Sequence, residues 1–317
     1  MVKLLVKKEM KNLFRTYFIN QKSGKGYSKG KTISFILLFV FLIIIMMGMF
    51  AGMGFGLSPL ISSGLGWFYF AIMGMLALAL GVFGDVFNTY SMLYKAKDNE
   101  MLLSLPIPPS RILISRMVVV FLLGLLYEGM VFIPAVAVFW ISGGSSVVPV
   151  FPALLYQILV FLFLGIFITT LTCILGWLVA LLSTKLKHKN IAVIVLSVVF
   201  FGAYYFFCTK LSDFITSLIM NAEAFSRIIR SGFYPAYAFG MAGVGDTLDT
   251  ILFAAFSIVT FAICVYVLSI SFKKITTSSD RSEKKKYTGL KGKRVSQYWA
   301  LWKLEGKRFI SIPTYAL

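Results

Sequence analysis

The chain has few residues of the kinds that carry out covalent or metal chemistry. Its 317 residues include one histidine, His188, and three cysteines, Cys173, Cys208 and Cys264. The cysteines are scattered through apolar stretches, so we expect buried thiols and neither a metal site nor a disulfide. His188 lies in a short basic loop, where an imidazole is usually solvated. We therefore predict no enzyme activity, no metal and no cofactor in this chain.

Charged residues are also scarce. They make up 14% of the chain, against about 25% in soluble domains, whereas 59% is hydrophobic and the mean hydropathy is +0.87. A transmembrane helix needs about 20 apolar residues. Such runs occur at about 33–56, 67–92, 117–140, 151–182, 190–209 and 250–272. The pattern predicts an all-α membrane protein with six transmembrane helices. The fourth run is long, so we expect it to tilt, to kink near Gly176 or to extend out of the bilayer.

Positive charge is distributed unevenly along the chain. Nine basic residues precede the first span and twelve follow from Lys273 onward, whereas the loops 57–66 and 141–150 carry no charge. Because cytoplasmic loops are enriched in Lys and Arg, we place both termini in the cytoplasm of a multi-pass protein. The net charge of +19 then indicates contact with anionic lipids and not with nucleic acid.

The segment 98–111, with the sequence DNEMLLSLPIPPSR, lies between the second and third spans. Charged residues open it, apolar residues supply one face, and three prolines prevent the helix from continuing. We predict a cytoplasmic coupling helix on which a soluble motor protein docks; an interfacial helix without a partner is the alternative. The expected contact residues are Asp98, Glu100, Met101, Leu102, Leu103, Leu105 and Arg111.

Two acidic residues fall within the apolar runs. Asp85 lies toward the cytoplasmic end of the second span, whereas Glu128 is near the middle of the third. A charge at that depth is usually paired, protonated or lining a cavity. Arg116, in the preceding loop, is about 18 Å away along a helix and cannot be the partner. Glu128 is therefore either a protonated or hydrogen-bonded residue joining two helices, or part of a translocation path or proton-linked step.

The loop between the fifth and sixth spans, about 210–249, is much longer than the other two outer loops. Apolar residues recur at three- and four-residue steps from Leu211 to Ile229, which predicts an amphipathic helix. A break at 231–235 precedes a second short helix at 237–242. This outer helical insert is either a lid on the helix ends or a gate for a solute.

The two ends of the chain are similar to each other. Leu5, Lys7, Glu9 and Lys11 recur as Leu301, Lys303, Glu305 and Lys307. Both segments are predicted to be basic helices on the cytoplasmic membrane surface. We divide the chain into a basic segment with an interfacial helix (1–32), a transmembrane domain (33–272), a linker (273–297) and a second interfacial helix (298–317). The last segment either begins a second repeat or is a C-terminal anchor.

This layout resembles the ABC-2 type exporter permeases, most closely at 98–111 and in the run YPAYA at 234–238. The resemblance implies the N-terminal half of a duplicated exporter of the bacterial plasma membrane. It also implies a separate ABC ATPase subunit, which holds ATP and magnesium and docks on 93–111, and a second six-span half or a homodimer partner. The sequence GYSKGKT at 26–32 is one residue short of a phosphate-binding loop and follows no strand, so ATP hydrolysis is expected on the partner.

Two functions of other classes stay open at this point. One is a proton-coupled secondary transporter in which Glu128 carries the proton. The other is a membrane scaffold that transports nothing. The transported solute is not predictable from these residues.

Overall fold

The computed structural model describes residues 2–18, 27–94, 96, 98–185, 198–199, 201–203, 205–206, 209–210, 216–217, 220–232, 234–279, 296, 298–299, 301–302 and 304–305. Within these ranges the chain is helical and contains no strand. The helices are α1 (Val2–Phe18), α2 (Lys29–Gly56), α3 (Pro59–Ser62), α4 (Gly66–Tyr94), α5 (Asn99–Ser104), α6 (Pro109–Phe139), α7 (Ser145–Val147), α8 (Val150–Lys185), α9 (Ala222–Gly232), α10 (Tyr234–Val244) and α11 (Thr247–Ser279). The predicted all-α class is confirmed for this part of the chain.

Five of the described stretches are long and apolar enough to cross a membrane. They are Lys29–Ser62, Gly66–Tyr94, Pro109–Gly144, Val150–Leu181 and Thr247–Ile270. They correspond to the predicted first, second, third, fourth and sixth spans. The predicted fifth span, 190–209, lies largely outside the described residues, so the total of six stays a prediction.

Two helices extend beyond their predicted limits. Helix α8 is continuous for 36 residues through Gly176, a length of about 54 Å against a hydrocarbon core of about 30 Å. Helix α6 starts at Pro109, eight residues before the predicted start of the third span, because proline is well tolerated in a first turn. The sequence placed Arg116 in the loop before the third span. Arg116 instead lies within α6.

Helix α4 occupies the centre of the bundle and packs against α6, α8 and α10. Phe68, Tyr69 and Phe70 are fully buried in its first turns. The neighbouring helix α10 approaches α4 very closely. A Cβ atom on Gly240 would lie 2.3 Å from the carbonyl oxygen of Trp67, and one on Gly74 would lie 2.0 Å from the Phe239 ring. Because neither glycine has a side chain, α10 can pack closely against α4.

The bundle has two apolar clusters. One surrounds the contact of α10 with α4, and we call that end of the bundle the α10 end. The other surrounds Leu102 of α5, and we call that end the α5 end. This second cluster joins the N-terminal helix to the bundle, because Leu5 of α1 packs there with Leu93, Leu102 and Leu113. Helix α1 was predicted to lie on the membrane surface. It packs against α6, and its position relative to a membrane stays a prediction.

Candidate functional site

Arg116 is the centre of a buried charged cluster at the α5 end. Its side chain is 1% exposed, although its guanidinium is always ionised. Nη1 donates a hydrogen bond to the carbonyl oxygen of Leu93 at 3.2 Å, and Nη2 donates one to Oδ1 of Asp98 at 2.9 Å. Nε lies 3.9 Å from Oε1 of Glu9. Arg116 therefore ties α6 to the end of α4, to the start of α5 and to α1.

Helix α1 contributes a second cation to this cluster. Lys8 Nζ donates to Oδ2 of Asp98, so that one carboxylate is shared by two basic residues. Among the described side chains of α1, the buried ones are Leu5 and Glu9, which stand one helical turn apart. An apolar contact and an ion pair therefore hold the same face of α1 against the bundle.

The pKa values of the two acids of the cluster, Glu9 and Asp98, are shifted in opposite directions. Burial raises the pKa of Glu9, and the nearby charge of Asp98 raises it further, against the opposing charges of Arg116 and Lys8. Burial also acts to raise the pKa of Asp98, but the hydrogen bond from Lys8 and the charges of Arg116 and Lys8 outweigh it and lower that pKa. Asp98 is thus the principal counter-ion of Arg116.

Helix α5 presents two different faces. Leu102 is 4% exposed and packs into the cluster with Leu5 and Leu113, whereas Met101 is 58% and Leu105 45% exposed. The main-chain N–H of Leu102 donates to the carbonyl oxygen of Asp98 at 2.9 Å, so Asp98 stands at the start of the helix. Met101 and Leu105 are therefore exposed, whereas Leu102, which the sequence grouped with them, is buried.

The predicted contact residues are therefore divided by the fold. Asp98 and Leu102 point into the bundle, and Met101 and Leu105 point away from it. Arg111 is exposed in the first turn of α6. The side chains of Glu100 and Leu103 lie outside the described part of the structure.

Asp85 and Glu128 are both buried, but their surroundings differ. Asp85 is 1% exposed and accepts hydrogen bonds from Asn88 Nδ2 and Thr89 Oγ1, each at 3.3 Å, within its own helix α4. Glu128 is 0% exposed, and neither of its carboxyl oxygens has a hydrogen-bond partner among the described residues. The sequence placed both acids in apolar runs but did not predict that they would differ in hydrogen bonding.

A polar network at the α10 end was missed by the sequence analysis. Gln157 of α8 is 2% exposed, accepts a hydrogen bond from Trp140 Nε1 and donates one to the carbonyl oxygen of Gly243, both at 3.0 Å. Tyr234 OH donates to Oδ1 of Asp249 at 2.9 Å. These bonds hold α10 against α8 and α11. The signal that could have found them is the amide of Gln157 within an otherwise apolar run.

Other candidates contribute no site within the described residues. No group of three His, Cys, Asp or Glu side chains there could hold a metal ion. Cys173 and Cys264 are buried free thiols. Cys208 and His188 lie outside the described ranges.

The repeated N-terminal motif has a structural counterpart in α1. The two buried positions, Leu5 and Glu9, are both among the four residues that recur in the second copy. In that copy Leu301 is 59% exposed. The recurrence therefore includes the residues with which α1 docks.

A comparison with protein-family models, with curated proteins and with solved structures finds no match to this chain.

Proposed function

We propose that this chain is the membrane-spanning permease subunit of an ABC exporter, which moves a solute outward using a separate ATPase subunit docked on α5. The observation that carries the proposal is the division of α5 into a face anchored in the bundle and an apolar face left exposed. Anchoring is needed to receive force, and exposure is needed to bind the protein that supplies it.

The anchoring rests on Asp98 and Leu102. Asp98 is ion-paired with Arg116 of α6, and Leu102 packs among residues of α1 and α6. Arg116 also donates to the carbonyl oxygen of Leu93 near the end of α4. A displacement of α5 is thus transmitted to two long helices at once, because a buried ion pair resists separation of its charges.

The exposed face rests on Met101 of α5 and on Leu105, the residue that directly follows the helix, which are both exposed. Methionine and leucine are suited to fill an apolar groove, and methionine adapts to irregular surfaces. A groove on the partner that receives these two side chains would exclude water from both.

In this mechanism the covalent chemistry belongs to the partner. ATP and magnesium are held there, and the approach of two ATPase subunits pushes on α5. The push passes through Arg116 to α6 and through Leu93 to α4, and the bundle changes between inward-open and outward-open arrangements. A second six-span half, in the same chain or in a partner, completes the path. The bacterial plasma membrane, with cytoplasmic termini, is the proposed location.

The proposal is tested by copurification from native membranes with a search for a bound ATPase. The variant Met101→Asp/Leu105→Asp puts charge on the exposed face of α5 and leaves the anchored face intact. The control variant Ser62→Asp adds charge at an exposed position at the α10 end. We expect the ATPase with wild type and with the control, and its loss with the α5 variant.

Two outcomes would contradict the proposal. One is a folded wild-type protein that brings down no ATPase. The other is an ATPase retained by the α5 variant. Leu102→Asp is unsuited to this test, since Leu102 is buried and its loss would unfold the α5 end whatever the function.

A further inference from the structure

Glu128 is a buried carboxyl that the proposed mechanism does not use. It lies on α6, twelve residues after Arg116, and is 0% exposed. Oε1 and Oε2 both lack a hydrogen-bond partner among the described residues. A buried carboxyl with no partner is unusual, because polar groups in protein interiors are nearly always hydrogen-bonded.

The facing helix leaves a gap that the carboxyl fills. A Cβ atom on Gly165 of α8 would lie 2.9 Å from Oε2 of Glu128. It would also lie 2.6 Å from Leu125 Cδ2 and 3.1 Å from Phe121 Cε2. Any larger residue at 165 would therefore crowd the acid together with the apolar side chains of Leu125 and Phe121.

Polar groups of α8 close to this point are already engaged. Thr169, one turn after Gly165, donates its hydroxyl proton to the carbonyl oxygen of Gly165 at 2.8 Å. Thr170 donates to the carbonyl oxygen of Ile166 at 2.9 Å. Neither hydroxyl donates to Glu128, so these two threonines give the carboxylate no compensation for lost water.

The titratable groups of the surrounding elements do not pair with it either. The structure describes these titratable groups on α6 and on the helices packed against it: Lys3, Lys7, Lys8, Glu9, Lys11, Lys29, Lys31, Tyr69, Asp85, Tyr90, Tyr94, Arg111, Arg116, Tyr127, Tyr156, Cys173, Asp249, Cys264 and Tyr266. None of these is hydrogen-bonded to a carboxyl oxygen of Glu128. An ionised carboxylate in such a place would keep nearly all of its desolvation penalty.

We infer that Glu128 is a proton-binding site, neutral while α6 and α8 are in contact at Gly165 and deprotonated when the two helices separate. The exchange breaks the O–H bond of the carboxylic acid and passes the proton to a water molecule admitted between the helices. No electron transfer and no other reactant is involved. A residue that only joined helices would have been expected to hydrogen-bond across the interface.

Infrared spectroscopy of the purified protein tests this inference directly. The C=O stretch of a protonated carboxylic acid is separate from that of a carboxylate and shifts when H₂O is replaced by D₂O. We expect such a band in wild type and its loss in Glu128→Gln. Gly165→Ala keeps the acid but crowds it, so it should shift the same band, which assigns the band even if the Gln variant does not fold.

The dependence on helix separation is tested with a cross-link. A Cβ atom on Gly124 of α6 would lie 4.0 Å from Thr169 Oγ1 of α8, so the pair Gly124→Cys/Thr169→Cys is chosen for oxidative cross-linking, and formation of the disulfide is verified by mass spectrometry. The three native cysteines are first replaced by alanine. We expect D₂O to shift the Glu128 band in the reduced protein and at least tenfold more slowly in the oxidised protein, with recovery on reduction.

Three results would overturn the inference. A missing carboxylic acid band in wild type would mean that Glu128 is ionised. Equal exchange in the oxidised and reduced proteins would show that helix separation is not needed. A band that exchanges in neither would mark Glu128 as a permanently sealed acid. The measurement needs neither a solute nor an ATPase, so its outcome is independent of the exporter proposal.

Discussion

Arg116 and Glu128 lie on the same helix, twelve residues apart, and are equally buried, yet their surroundings are opposite. Arg116 is held by Asp98, Glu9 and the carbonyl oxygen of Leu93. Glu128 has no hydrogen-bond partner in the described part of the chain. A guanidinium cannot lose its proton in a protein, so it must be buried with counter-ions. A carboxyl can become neutral by binding a proton, so it can be buried without them.

This difference assigns two regions of α6 different tasks. The Arg116 region is fixed by charge to three other segments and suits the transmission of force. Glu128 forms no ion pair with any described residue, so the helices around it can separate without breaking one. Substitutions at Arg116, Asp98 and Glu128 distinguish the two regions by their effect on stability.

The largest effect is expected for Arg116→Met. The change removes the buried cation that Asp98 and Glu9 share and leaves Lys8 as the remaining cation of the cluster, which costs up to about 3–5 kcal/mol of stability. The matched control is Arg111→Met, because Arg111 lies on the same helix but is exposed, and exposed pairs contribute about 0–1 kcal/mol. Thermal unfolding of both variants in one detergent would measure the difference. Equal losses would contradict the special role of the Arg116 cluster.

Asp98→Asn should have the next largest effect, about 1–3 kcal/mol, because Arg116 and Lys8 both lose a charged acceptor while the side chain keeps its shape. A double-mutant cycle with Arg116→Met measures the coupling between them. The combined loss should be clearly smaller than the sum of the two. Strict additivity would show that the ion pair contributes nothing of its own.

Acid should weaken the same cluster. Since Asp98 has its pKa lowered by folding, its contribution is present above the ordinary value of 3.8 and is lost as the pH falls below that value through the lowered pKa. Folding raises the pKa of Glu9. As the pH falls toward the ordinary Glu9 pKa of 4.5, protonation of Glu9 therefore stabilises the folded protein, which is opposite to the effect of Asp98.

Because Asp98 is partly solvated, the expected acid effect is about 1 kcal/mol or less. It is measured as the unfolding temperature of wild type against Asp98→Asn across the acid range. The gap between the two proteins should narrow below the ordinary pKa of Asp98. A gap that stays constant would exclude Asp98 as the group that titrates.

The smallest effect on stability is expected for Glu128→Gln, below about 1 kcal/mol, since the amide matches a neutral acid in size and no hydrogen bond is lost. The comparison variant is Glu128→Ala, which also leaves a cavity and should cost more. Unfolding of both in detergent gives the ranking. A loss for Gln as large as that for Arg116→Met would mean that Glu128 is ionised and paired, and the contrast along α6 would fail.

The parts of this picture that sequence reasoning reached are local ones. Lengths of apolar runs predicted five of the described spans, and the prolines after Leu105 predicted the end of α5, because both depend on neighbouring residues. The burial of Glu128 also followed from its place in a long apolar run. The sequence grouped Met101, Leu102, Leu103 and Leu105 on one apolar face, and could not show that Leu102 would be buried while Met101 and Leu105 stay exposed.

The parts that were missed depend on residues far apart in the chain. Arg116 was assigned to a loop, because no residue near it in the sequence indicated that it would be buried beside Glu9. Gln157 was overlooked because its partners, Trp140 and Gly243, belong to other helices. The gap at Gly165 that admits Glu128 is likewise visible only when α6 and α8 are placed side by side.

The contact between α1 and the α5 end has a consequence for the order of biosynthesis. Lys8 and Asp98 are 90 residues apart, and the α1 segment leaves the ribosome well before its partner exists. At a synthesis rate of about 5–20 residues per second, Lys8 and Glu9 wait on the order of ten seconds for Asp98 and longer for Arg116. Until then the charges of α1 lack these partners, and α1 can complete the contact only after α2, α4 and the first turns of α6 have been made.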